Sequence, residues 1–331
     1  MKKAVRILSF ILAILLVVLV LVVFFQSRSG EKEKKTQKAD PVRIVERPSK
    51  AEASDESKDV EATEKEETAK EEESRDTDAE AIEKGEAQST GGNVQELTGR
   101  LQQLVSTEYG AGGQVAVSAG RISEGELASV GGGPMQAASL IKLYVAGCVY
   151  ENYGTVSGQD TYGGETDSLL RSMITVSDND ACNTLVARLG SGSAANGMSL
   201  VNQYCGAHGF SDTHMGRLML QPNDADDNYT SVRDCCNFLK MAGSGQLEGG
   251  ESILGLMNQQ QRRSKIPAGI PAGVTVGNKT GELSDVENDA AIVYAAGGTY
   301  VICVMSENLS NPGAARQFIT RSSGVVYEML Q

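Results

Sequence analysis

Hydrophobic and polar positions divide the chain into three regimes. Ile7 to Phe25 is an uncharged, apolar run of 19 residues, long enough as a helix to cross a bilayer. It predicts a transmembrane segment over 7–25. From about Gln26 to Gly92 the chain is Glu, Lys, Ser, Thr and Ala with hardly a large apolar side chain. Such a stretch cannot bury enough surface to offset the entropy of ordering, so 26–92 reads as an acidic, disordered tether. Periodic patterning begins near Val94. Leu97, Leu101, Leu104 and Val105 recur at helical spacing within Val94–Ser106, while Gln114–Gly120 alternates as a strand and Glu126–Gly131 can pair with it.

Further along, Ala137–Tyr150 predicts a helix that is apolar on every face, and hence buried. Asn152–Glu165, rich in Gly, Thr and Tyr, reads as a loop. Shorter helices are expected at Leu169–Val176, Asp180–Leu189, Gly197–Ala207, Val232–Met241, Glu251–Gln259 and Ala314–Leu330, with strands at Val274–Lys279, Ala290–Ala295 and Tyr300–Met305. Strands at both ends with helices between them imply an α/β fold of the α+β kind. One antiparallel sheet is built from the two chain ends and flanked by helices, and an all-helical lobe is inserted between them. The globular part is expected to span 93–331.

Residues 1–6, with Lys2, Lys3 and Arg6, form a basic start before the apolar run. The segment Phe24-Phe25-Gln26-Ser27-Arg28 offers no small-x-small cleavage site. An uncleaved signal anchor follows, with the N-terminus cytoplasmic and the globular domain outside the cell membrane, although Arg28, Lys32, Lys34 and Lys35 pull against that orientation.

Charge excludes one class of partner. Beyond residue 86 the chain carries 23 acidic and 14 basic residues, with no basic cluster, a poor match for nucleic acid. Six cysteines show no C-x-x-C pair, and His208 and His214 are the only imidazoles. No metal site is expected. The cysteines sit in apolar patterns and read as small buried hydrophobes, although export would permit one or two disulfides whose pairing the sequence leaves open.

Candidate chemistry starts from one misfit. Lys142 is the only charge in the apolar helix, and a buried lysine is paired or has its pKa lowered for a task. Ser139 precedes it by three residues, one turn back on the same face. The amine can then take the hydroxyl's proton and make Ser139 a nucleophile. Ser-x-x-Lys arises by chance about once in a chain of this length, so it needs company. Ser177-Asp178-Asn179 breaks two helices, and Lys279-Thr280-Gly281 ends an apolar strand. Alone, the first is a helix cap and the second a turn; in this order the three motifs are far more specific.

On Ala138-Ser139-Leu140-Ile141-Lys142, Ser177-Asp178-Asn179 and Gly277-Asn278-Lys279-Thr280-Gly281, the chain resembles the penicillin-recognising active-site serine hydrolases, specifically class A β-lactamases, over roughly 97–331. The resemblance implies a β-lactamase/transpeptidase-like fold and a β-lactam or peptidoglycan-peptide substrate, with no cofactor. It implies Ser139 as nucleophile, Lys142 as its base and Ser177 as proton donor to the leaving nitrogen. Asn179 would hold the substrate's amide side chain, and Lys279, Thr280 and Gly281 would line the carboxylate site. The backbone N–H groups of Ser139 and Glu282 would form the oxyanion hole.

Two departures stand out. The class A glutamate that activates the deacylating water aligns with Met219, and no glutamate occurs between Gly206 and Lys240. Asp224, Asp226 and Asp227 are the substitutes at hand. The segment from Lys142 to Ser177 is also short, leaving Tyr153 or Tyr162 as candidate cleft walls. Three readings stay open at this level: a β-lactam-hydrolysing enzyme, a D-alanyl-D-alanine carboxypeptidase or penicillin-binding wall enzyme, and a non-catalytic wall-sensing module. A Ser-His-Asp hydrolase built on His208 or His214 is the weakest fit.

Overall fold

The computed structural model describes residues 90–331, with side chains from Val94 onward. The expected anchor, and the expected tether as far as residue 89, lie outside the described residues, among which no helix is long and apolar enough to cross a membrane; the last three residues of the expected tether, 90–92, open the first helix. Helix α1 (Thr90–Glu108) leads into β1 (Gln114–Arg121) and the short β2 (Ala128–Val130). Near the C-terminus β6 (Thr275–Leu283), β7 (Val286–Ala295) and β8 (Gly298–Glu307) form an antiparallel meander, followed by α9 (Pro312–Leu330). The sheet order is β2-β1-β8-β7-β6. Strand β1 pairs with β8 from Gln114↔Glu307 to Arg121↔Tyr300, so the two ends of the domain share one sheet, as the hydrophobic pattern predicts.

Five consecutive β1 residues are buried, because helices cover both faces of the sheet. One face packs against α1 and α9 through Leu97, Leu101, Ile302, Phe318, Ile319 and Val326. Each such side chain contributes about 1.5–3 kcal/mol by leaving water. The other face carries the helical lobe: α2 (Ile141–Glu151), α3 (Tyr153–Ser157), α4 (Glu165–Thr175), α5 (Asn179–Leu189), α6 (Ala194–Ala207), α7 (Val232–Gly243) and α8 (Gly250–Met257). Every residue of α2 from Ile141 to Val149 is buried, so it forms the axis of this lobe. A second small sheet, β3 (Met135–Gln136), β5 (Asn228–Thr230) and β4 (His214–Met215), ties the start of α2 to the long loop before α7.

Local signals set the helix starts. Asp178, Ser193, Ser231 and Asn311 each accept a hydrogen bond from the backbone N–H three residues on, a cap worth about 0.5–2 kcal/mol. Strands β6 and β7 run longer than the hydrophobic pattern suggests, reaching Leu283 and starting at Val286, and two helices alter the expected loop region. Helix α3 occupies part of the expected loop Asn152–Glu165, and α4 begins four residues before Leu169. The left-handed Gly164 turn and the acidic first turn, Glu165 and Asp167, start α4 before its apolar stripe does. All six cysteines are buried and free, in keeping with their reading as core residues.

Candidate active site

Ser139 stands in a 3₁₀ turn, Ala138–Leu140, that runs directly into α2. The turn begins with Ala138 at φ +46, a left-handed conformation that costs a non-glycine residue about 1–3 kcal/mol and persists only where its surroundings over-determine it. They do. Ala137 N–H donates to Asn228 O (2.8 Å), and Asn288 Nδ2 donates to Gln136 O (2.8 Å) and Ala137 O (3.3 Å). Gln136 N–H donates to Glu307 Oε2 (2.8 Å).

Lys142, the misfit of the apolar helix, is fully buried. Its ammonium donates to Ser177 O (2.6 Å), Ser177 Oγ (3.2 Å) and Asn179 Oδ1 (2.7 Å), and none of these bonds goes to Ser139 Oγ. Lys279, also fully buried, reaches the same hydroxyl from the sheet side: its Nζ donates to Ser177 Oγ at 2.9 Å and to Thr280 O at 2.7 Å. Ser177 thus joins two lysines, one from each lobe, and holds φ +63 to do so.

Burial dominates the proton affinities here. It lowers Lys142 to about 8, with the charge of Arg262 adding to the effect and Cys182 and Asp178 opposing it. Burial likewise lowers Lys279 well below the usual lysine range, with Lys142's charge the next cause. Two desolvated ammonium groups around one hydroxyl favour a shared state in which one amine is neutral. A neutral amine can accept a proton.

Strand β6 is the sheet edge, and it brings Lys279, Thr280, Gly281 and Glu282 to the nucleophile's turn. A Cβ on Gly281 would lie 2.7 Å from Ala137 O and 3.3 Å from Ser139 N, so only glycine allows this approach. Glu282 joins Ala138, Ser139 and Asn179 in lining a cleft of about 310 Å³, with Met219 and Leu220 on the far wall. Of the sequence-predicted residues, Ser139, Asn179 and Glu282 line this space, whereas buried Lys142 and Lys279 meet at the Ser177 hydroxyl and are not part of its lining. Thr280, 2 % exposed, is not among the lining residues either.

The far wall is a built loop. Asn183 clamps Met219 from both sides, Nδ2 donating to Met219 O (3.1 Å) and Oδ1 accepting from Met219 N–H (2.8 Å). Buried Asp227 pairs with Arg217 Nε at 2.6 Å, and Arg217 also caps the carbonyls of Leu218 and Gln221. The candidate substitute bases are thereby occupied or displaced: Asp227 serves Arg217, Asp226 pairs with His214 at 2.9 Å, and Asp224 is absent from the cleft lining. Tyr153 donates to Asp167 and Tyr162 is 59 % exposed; neither lines the cleft. His208 pairs with Glu151, away from Ser139.

Several site residues carried no role in the sequence reading. Asn183 had a signal, since it lies four residues after Asn179 on the same face of α5. Asn288 and Lys265 had none, because their work is done through backbone carbonyls that only the folded sheet assembles.

A family model described as the beta-lactamase enzyme family matches residues 159–330. No curated protein matches the chain in sequence. Among solved structures, PBP-A is similar at 24% identity and a TM-score of 0.59, covering 70% of this chain and 95% of that one. A PBP-A mutant solved as an acyl-enzyme complex with penicillin G gives 24% and 0.60, covering 71% and 96%. A beta-lactamase from Desulfarculus baarsii gives 20% and 0.59, covering 72% and 98%. At these identities the structural likeness is one of fold.

Proposed function

The chain belongs to the beta-lactamase enzyme family, as a serine hydrolase with the class A fold, and from that membership we propose that Ser139 is its acylated nucleophile. The family match begins after Ser139, so the local geometry carries this step. The observation that supports it best is the Ser177 hydroxyl shared by buried Lys142 and Lys279, with Ser139 three residues before Lys142 in a turn whose backbone is fixed from both sides.

In this reading Ser139 Oγ bonds to the carbonyl carbon of a β-lactam or acyl-peptide amide, and its proton passes to the neutral amine of Lys142. The tetrahedral oxyanion rests against the N–H groups of Ser139 and Glu282, at the mouth of the turn and the strand edge. Collapse breaks the C–N bond, and Ser177 hands a proton to the leaving nitrogen, replenished from the lysines that bracket it. Lys279 and Thr280 take the substrate carboxylate, and Asn179 takes its amide side chain.

Met219 favours slow deacylation. The carboxylates that line the cleft, Glu282 and Asp285, belong to the strand side, Glu282 being paired with Lys265 and Arg262, and none stands on the Met219 wall to activate water. The acyl-enzyme therefore persists, the behaviour of a penicillin-binding or D-alanyl-D-alanine carboxypeptidase-like wall enzyme. The apolar run 7–25 supports a membrane-anchored, extracytoplasmic placement facing the wall. A fluorescent penicillin should label the wild type and leave Ser139→Ala dark; equal labelling of both removes the proposal.

A further inference from the structure

The residue after Gly281 is an acid, next in sequence to the Lys279-Thr280-Gly281 run proposed to hold a substrate carboxylate. Glu282 lines the cleft, and its side chain is 37 % exposed. Its two oxygens face different cations. Oε1 lies 3.0 Å from Lys265 Nζ and Oε2 lies 3.1 Å from Arg262 Nη1.

The two cations are held very differently. Lys265 is fully buried, donates to Asn288 O (3.0 Å), and lies 2.7 Å from Glu287 Oε2. It cannot leave, so it anchors Oε1. Arg262 is pinned at its backbone, where its N–H donates to Gln260 Oε1 (3.0 Å) and its carbonyl accepts from Asn278 Nδ2 (3.1 Å). Its guanidinium, 52 % exposed, has Glu282 as its one side-chain partner among the described residues. The charge of Arg262 is felt at both Lys142 and Lys279, disfavouring their protonated forms. Arg262 is therefore a half-exposed cation whose charge reaches Lys279, the lysine proposed to hold the substrate carboxylate, and it is already engaged by a carboxylate of the protein itself.

We propose that Glu282 is an internal counter-anion for Arg262, occupying the guanidinium that the carboxylate of an acyl donor would otherwise engage, and that it thereby sets the cleft's discrimination against anionic substrates. The inference rests on the proposed acylation of Ser139 and concerns which substrates reach it. An exposed ion pair is weak, so an incoming carboxylate exchanges with Glu282 at a modest cost. Long-range repulsion by Glu282 would act whether or not Arg262 is present; exchange at the guanidinium requires it. That difference is testable.

The experiment measures the second-order acylation rate by a fluorescent penicillin, which carries one carboxylate, on the full chain and on Glu282→Gln, Arg262→Gln and the double variant. Glu282→Gln should be acylated about two- to fivefold faster, the worth of one exposed pair. In the Arg262→Gln background the same change should have no effect. Glu282→Asp retains a charge for buried Lys265 while retreating from Arg262, so its rate should lie between wild type and Glu282→Gln, which guards against misfolding of the neutral variant. An unchanged or slower rate in both Glu282 variants, or an equal gain with Arg262 absent, overturns the inference and leaves the acylation reading standing. No label on any of the proteins overturns both.

Discussion

Replacing Met219 by glutamate tests whether the wall opposite Glu282 lacks only a base. Met219 is 7 % exposed and lines the same 310 Å³ space as Ser139. Its backbone is fixed by both functional atoms of the Asn183 carboxamide, so the side chain can change while the wall stays put. A carboxylate there, next to the acyl-enzyme, is a general base for water, and a positioned base contributes about 10²–10⁴-fold, or roughly 3–5 kcal/mol of barrier. Against this, losing the buried thioether and half-burying a carboxylate costs about 1.5–3 kcal/mol of stability. The assay is stopped-flow acylation followed by decay of the penicilloyl adduct, with a thermal melt for folding. Met219→Glu should acylate at a rate close to wild type and lose the adduct at least about 100-fold faster. A folded variant that acylates normally but keeps its adduct for as long as wild type would refute the reasoning, because the barrier to hydrolysis would then lie elsewhere.

Three further outcomes follow from the geometry. Acylation should rise with pH and level off above about 8, where Lys142 becomes neutral; a pH-independent rate between 6 and 9 would exclude Lys142 as the base. Asp227→Ala leaves Arg217 buried beside no anion and strips acceptors from Asn223 and Asn228, so urea unfolding should report a loss of about 3–5 kcal/mol, while a loss below about 1 kcal/mol would show that the loop is not held by this pair. Gly281→Ala forces a methyl against Ala137 O and the Ser139 amide, so acylation should fall at least about tenfold, since small misplacements of a reacting group are costly; wild-type acylation would mean that β6 does not form the wall.

Much of this site was legible because its chemistry conflicts with its surroundings. Lys142 stood out as the one charge in an apolar helix, and burial with a lowered proton affinity is what the fold gives it. The sheet built from both ends followed from strand patterns alone, and β1 pairs with β8 over its full length. The contact between Lys142 and Ser177 was not legible. Helical spacing directed the amine to Ser139, whereas three acceptors on the Ser177–Asn179 turn, brought in by the packing of α5 on α2, take its hydrogen bonds. Tyr153 and Tyr162 were misassigned to the cleft for a related reason: a short helix, α3, turns the segment onto Asp167 and solvent. Composition reveals which residues are out of place, but not which neighbour resolves the misfit.

The central claim is that Ser139 is acylated and that the adduct then persists. Intact-protein mass spectrometry after mixing with benzylpenicillin, followed by peptide mapping and a chase over time, measures both. The account predicts a single penicilloyl adduct on Ser139, absent in Ser139→Ala, that survives for minutes to hours. An adduct on another residue, or one on Ser139 lost in under a second with Met219 in place, would contradict it.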